Sequence, residues 1–143
     1  MEVGREFHLT YCTNIHPGES WSDVKKSLNQ YLLEVKANVS PDHPFGVGLR
    51  LSNQAALELL ESDQLDQFKN WLQKNGLYVF TLNGFPYGSF HGSVVKDNVH
   101  KPDWTTDERV EYTKQLFQIL SSLVPDYTDG GISTSPLSYK HWS

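Results

Sequence analysis

The chain has 143 residues, 38% of them hydrophobic, with a formal charge of −5 and no cluster of Lys or Arg. That length suits a single domain, residues 1–143, with a sizeable core. The acidic balance argues against nucleic acid as a partner, because phosphates need clustered cations, and no stretch approaches the apolar length of a membrane insertion. Aromatic residues supply much of the material for burial, with four Trp, seven Tyr and seven Phe. The one cysteine, Cys12, leaves no intrachain disulfide and fits a reducing, cytoplasmic compartment. The N-terminus, MEVGREFHLT, has acidic residues and no apolar core, so it does not read as a signal peptide.

In chain order, Phe7–Thr13 reads as a strand, and Cys12 within it is expected to be buried and inert. Turn chemistry follows at Asn14-Ile15-His16-Pro17-Gly18-Glu19. Ser20 with Asp23 forms a capping box, so a helix starts near Trp21. Trp21, Val24, Leu28, Tyr31, Leu32 and Val35 recur at three and four, which predicts one buried face ending before Asn38. Phe45–Leu51 is the second strand, and Gly46 and Gly48 share a face that a bulky aromatic group could approach. Ser52 or Asn53 caps a helix that begins over Ala55–Leu60, breaks at Ser62-Asp63 and resumes to Lys74, with Asn75-Gly76 as its stop.

Leu77–Leu82 is the third strand. After it, residues 84–103 form a long connection carrying Phe85, Tyr87, Phe90, His91, Lys96 and His100, with Trp104 just beyond. Loops of that length are usually functional or disordered, and disordered segments are poor in aromatics. Two readings stay open: the wall or lid of a small-molecule pocket, or an Ω-loop packed by its own side chains. Thr105 with Glu108 reads as a capping box, and Val110, Thr113, Leu116, Phe117, Leu120 and Leu123 give the helical period up to Pro125. Gly131–Ser135 is a fourth, short strand.

The order β-α-β-α-β-α-β predicts an α/β fold with neighbouring strands parallel and right-handed crossovers. Two architectures fit: the N-terminal half of a TIM (β/α)8 barrel, or a small doubly wound sheet. No Gly-rich phosphate loop follows the first strand, so nucleotide binding of that kind is unsupported. Each strand instead ends in polar groups: Asn14 and His16, Arg50 and Ser52, Asn83 and His91, then Ser133, Thr134 and Ser135. In a barrel those ends share one mouth.

The segments LTYCTNIHPGESW (Leu9–Trp21), TLNGFPYGSFHG (Thr81–Gly92), VKDNVHKPDW (Val95–Trp104) and GISTSPLSYK (Gly131–Lys140) resemble the EboE family across nearly the whole chain. The resemblance implies a metabolite-traffic protein built on a xylose-isomerase-like, sugar-phosphate-isomerase-type TIM barrel, of which this chain matches an N-terminal half. Barrel kin of that family are divalent-metal isomerases and epimerases of sugars. They commonly take acidic metal ligands from later strands, which this chain lacks.

The residues expected to carry chemistry lie at the strand ends. His16, with Glu19 three residues on, is a candidate for substrate or metal contact, or else a turn histidine bonded to local backbone. His91 is a candidate for proton transfer, because an unperturbed His titrates near neutrality, or an exposed loop histidine. Asn83 could bind a substrate hydroxyl or close an Asx-turn into Gly84. Asn14 and Glu19 join the substrate-binding set, with Phe85, Tyr87, Phe90 and Trp104 as an apolar wall or as loop packing. Lys96 and His100 read as solvated or structural. No HExxH motif, Cys/His set or GxSxG motif is present, so no cofactor is assigned beyond a divalent metal in a complete barrel. The expected partners are a small-molecule metabolite, together with a second copy of the chain or a C-terminal half-barrel, because half a barrel leaves unpaired strand edges. Three functions remain: a metabolite-binding protein, a metal-dependent sugar isomerase or epimerase completed by another half, and a non-catalytic structural fragment.

Overall fold

The computed structural model of the protein describes residues 1–4, 7–88, 98–140 and 142. Its strands are β1 (Glu2–Val3), β2 (Phe7–His8), β3 (Thr10–Cys12), β4 (Phe45–Arg50), β5 (Leu77–Asn83) and β6 (Gly131–Ser133). Its α-helices are α1 (Trp21–Ser27), α2 (Leu33–Val39), α3 (Asn53–Leu60), α4 (Gln64–Lys74) and α5 (Asp107–Leu123). As the sequence predicts, the chain is α/β, with a four-stranded, all-parallel sheet in the order β3-β4-β5-β6. The order follows the sequence without a reversal, as in successive units of a barrel. A doubly wound sheet would need a reversal on a strand beyond these four.

Sequential order with right-handed crossovers places every helix on one face of the sheet. Val47, Leu49, Leu51, Val79 and Leu82 point to that face and join Leu28, Leu32, Leu59, Leu116 and Ile119 in one core. Among the described residues, the opposite face carries no α-helix. There Thr10, Cys12, Gly46, Gly48, Phe80 and Thr81 lie together: a Cβ on Gly46 would sit 3.3 Å from the Phe80 ring, and one on Gly48 3.4 Å from the Thr10 hydroxyl. The aromatic approach expected at the glycine pair is therefore made by Phe80, which a register shift between Val47 and Gly48 leaves as the extra residue on β5. Among the described residues this face carries small and polar groups around the Phe80 ring, with the Val and Leu side chains on the other side.

Several local expectations are corrected. Phe7–Thr13 is not one strand: Phe7-His8 pairs antiparallel with Glu2-Val3 in a hairpin turning at Gly4 (φ 73°), and only Thr10–Cys12 enters the parallel sheet. Cys12 is exposed rather than buried, because β3 is an edge and Cys12 lies on the helix-free face. The first helix opens with the expected Ser20/Asp23 box, but a wide π turn over Leu28–Leu32 advances its face. Tyr31 consequently turns outward, 39% exposed. The break at Ser62 (φ 52°) and the stop at Gly76 (φ 62°) fall where predicted. Helix α5 has Thr106, not Thr105, at its cap position, without a side-chain cap bond. Asp103 organises that turn instead, its carboxylate accepting the Thr105 amide and hydroxyl and its carbonyl the Thr106 hydroxyl. The buried stripe of α5 is Arg109, Tyr112, Leu116, Ile119, Leu120 and Leu123, whereas Phe117 is exposed. Strand β6 ends at Ser133, so Ser135 lies beyond it.

Candidate functional site

Two buried arginines shape the end of the sheet where the strands finish. Arg50, the last residue of β4, has a side chain only 2% exposed. Its guanidinium donates to the carbonyls of Gly18 (2.9 Å) and Gly88 (2.6 Å) and pairs with the Glu19 carboxylate at 3.2 Å. One side chain thus ties the loop after β3 to the loop after β5. Glu19, expected among the substrate contacts, is engaged as the counter-ion that makes burial of this cation tolerable.

Arg109 is fully buried on α5. Its Nε donates to Pro102 O (2.8 Å), Nη1 to Gly84 O (2.7 Å) and Nη2 to Phe85 O (3.2 Å), so it clamps both ends of the long β5–α5 connection. Its guanidinium also faces the Tyr87 and Tyr112 rings, at 5.9 and 5.5 Å. Burial lowers the Arg109 pKa, while Tyr112, Tyr87 and Asp103 pull it the other way. Burial also pushes the Tyr112 phenol well above its ordinary range, so it serves as a neutral donor to Leu51 O at 2.6 Å. The reading by periodicity missed Arg109. The available signal was its spacing of three and seven from Tyr112 and Leu116, which puts it on the apolar stripe.

The predicted residues separate into groups. His16 lies beside the first helix: its Nε2 is 2.8 Å from the Tyr11 hydroxyl, and its ring stacks on Tyr31 at 4.3 Å with 6° between planes. Asn83 closes the Asx-turn, its Oδ1 accepting the Phe85 amide at 3.0 Å, and it also accepts from the Ser133 hydroxyl at 3.2 Å. Tyr87 packs edge-on against Tyr112 at 5.1 Å, and its carbonyl accepts the Asn53 amide at the start of α3. Trp104 donates its indole N–H to Thr134 Oγ1 (2.9 Å) and Ser135 O (3.2 Å), joining the long connection to the segment after β6. Phe85 meets His100 edge-on at 5.3 Å, and His100 stacks on Tyr139 at 5.1 Å. Trp142 completes this cluster, with the Lys101 ammonium 5.0 Å from its ring. His100 is therefore the centre of an aromatic cluster, a placement the sequence did not single out. Phe90, His91 and Lys96 lie outside the described residues.

Buried polar atoms are nearly always hydrogen-bonded, so unpaired ones mark places to examine. Four stand at this end of the sheet: Asn14 Oδ1, Arg50 Nε, His100 Nδ1 and Ser135 Oγ. They lie at or beyond the ends of β3, β4, β5 and β6 in turn, one acceptor, one donor and two groups able to play either role. A divalent cation does not fit this set. Among the described residues no three of His, Cys, Asp and Glu gather as metal ligands, and Glu19 is already neutralised by Arg50. None of the helices is long and apolar enough to cross a membrane among the described residues. No family model matches the chain, and no curated protein or solved structure matches it either.

Proposed function

We propose that the chain is a metabolite-binding protein of the EboE type, holding a small polar or amphipathic molecule at the C-terminal ends of its parallel strands. The observation that carries the reading is the set of four buried polar atoms without partners, one at or beyond the end of each strand of the sheet. Around His100, Phe85, Tyr139 and Trp142 offer apolar ring surface. Asn14 supplies an acceptor and Ser135 a hydroxyl, while Arg50 and Arg109 hold the loops that present them. His16 and His91 stay in the proposal as polar contacts from the flanking loops.

The test is equilibrium dialysis against an isotopically labelled metabolite extract. The wild type should retain a compound that Asn14→Leu and the His16→Ala/His91→Ala double variant release. Retention of nothing, or equal retention by the variants, ends the reading. The sugar-isomerase alternative needs acidic ligands from another half of a barrel. It predicts EDTA-sensitive turnover of sugars only in an assembly that supplies them.

Self-association, or pairing with a C-terminal half-barrel, belongs to the same proposal. The outer edges of β3 and β6 have no strand partner among the described residues, and such edges are templates for further pairing. Val3, Phe7, Leu9 and Ile15, all exposed, lie along the chain that flanks the β3 edge. A reducing, cytoplasmic setting suits the exposed thiol of Cys12.

A further inference from the structure

A sizeable hollow lies at the opposite end of the sheet from the site described above. It encloses about 510 Å³ and is lined by Glu2, His8, His43, Pro44, Tyr78 and Tyr127. These residues come from the N-terminal hairpin, the residues just before β4, the start of β5 and the α5–β6 connection. A volume of several hundred cubic ångströms is that of a typical small-molecule site. We propose that this hollow binds a planar heteroaromatic molecule whose ring edge carries both a hydrogen-bond donor and an acceptor.

The walls argue for a flat aromatic ligand. Tyr127, Tyr78 and His8 form a run of rings with centroids 6.1 and 5.7 Å apart, and Phe80 backs His8 at 5.0 Å. Tyr127 is 67% exposed, and its one ring contact among the described residues is the edge-on meeting with Tyr78. It is an aromatic surface with a face left for stacking, and offset or edge-on arrangements are the favoured ones. Pro44 and His43 also line the hollow.

The polar groups argue for nitrogen on the ring. Tyr78 is almost fully buried, and its oxygen lies 2.8 Å from His8 Nδ1 and 3.1 Å from the Met1 ammonium. The Met1 ammonium donates to the Tyr78 oxygen, and in the tautomer in which His8 Nδ1 accepts the Tyr78 hydroxyl, Nε2 carries the ring proton and offers it as a donor. Glu2 offers a carboxylate acceptor. Burial first, and the Glu2 charge after it, raise the pKa of both Tyr78 and Tyr127, as expected of a place that disfavours anions. A ring with N–H on one side and a bare nitrogen on the other meets both groups; a hydrocarbon meets neither.

The probe is benzimidazole, titrated while the His, Tyr and Trp ring signals are followed by NMR, with indene as the isosteric control. Saturable binding should shift the His8 and His43 signals, and indene should bind at least about fivefold more weakly. Tyr127→Ala should weaken benzimidazole roughly fivefold through loss of one ring contact, without unfolding, because Tyr127 is exposed. Glu2→Gln should weaken it severalfold as well. Absence of saturation, shifts at Trp104 and Trp142 in place of His8 and His43, equal binding of indene, or unchanged affinity in Tyr127→Ala would each overturn the proposal.

Discussion

Arg109 illustrates how much one residue can organise when it is charged, buried and satisfied. Its three bonds to carbonyls are charge-assisted and out of water. Arg109→Met keeps some bulk but leaves those carbonyls unpaired, so urea denaturation should show a loss of about 3 kcal/mol or more. Tyr112→Phe removes one donor from Leu51 O and should cost about 1–2 kcal/mol by the same measurement. Tyr78 carries a pH dependence. Burial, then Tyr127 and Glu2, push its phenol from 10.0 up to about 12. The folded state binds that proton more tightly than the unfolded chain, so the stabilisation is complete below the unfolded value of 10.0 and is lost as pH rises through about 12. Stability measured by urea across that window should fall with pH, and Tyr78→Phe should flatten the fall. An unchanged slope would mean that other groups govern it.

At the scale of elements, Gly84 is the close-packing point where the end of β5 meets both β6 and α5. A Cβ there would lie 2.9 Å from Leu116 Cδ1 and 2.9 Å from Ser133 O, and the latter cannot swing aside because it accepts the Gly84 amide. Gly84→Ala should therefore lower stability by about 1–3 kcal/mol through overpacking. Gly88→Ala, with nothing within 4 Å of the added Cβ, is the matched control and should change stability little. The α3–α4 break makes the opposite prediction. Ser62 holds φ at 52°, a conformation costly for any residue with a Cβ, so Ser62→Gly should raise the thermal midpoint or leave it unchanged. Both elements show why helix phases were only partly legible. The Ser20/Asp23 cap, the Ser62 break and the Gly76 stop are local chemistry and stand in the sequence, whereas the π turn at Leu28–Leu32 and the burial of Arg109 depend on what each helix packs against.

At the scale of the whole molecule, a four-stranded parallel sheet covered by helices on one side leaves its other side and two edges without strands or helices among the described residues. On the proposed self-association, sedimentation equilibrium should show a mass above 16.3 kDa that rises with concentration. Aspartate or proline at Tyr11, on β3, should return it towards the monomer, since either change spoils an edge for pairing. A well-folded monomer at every concentration would remove this part of the proposal. What the sequence determined by itself is the α/β alternation, the parallel sheet and most of the turns, because hydrophobic period and capping chemistry act over a few residues. It also offered the Asx-turn as one of two roles for Asn83, beside a substrate contact, and marked the strand ends as polar. Only the tertiary structure decided that Glu19 pairs with Arg50, that Arg109 lies inside, that Cys12 is exposed on an edge, and that a hollow of about 510 Å³ opens at the other end of the sheet. Those outcomes depend on which distant segments meet, and burial energies and hydrogen-bond partners across such contacts have no local signature in the chain.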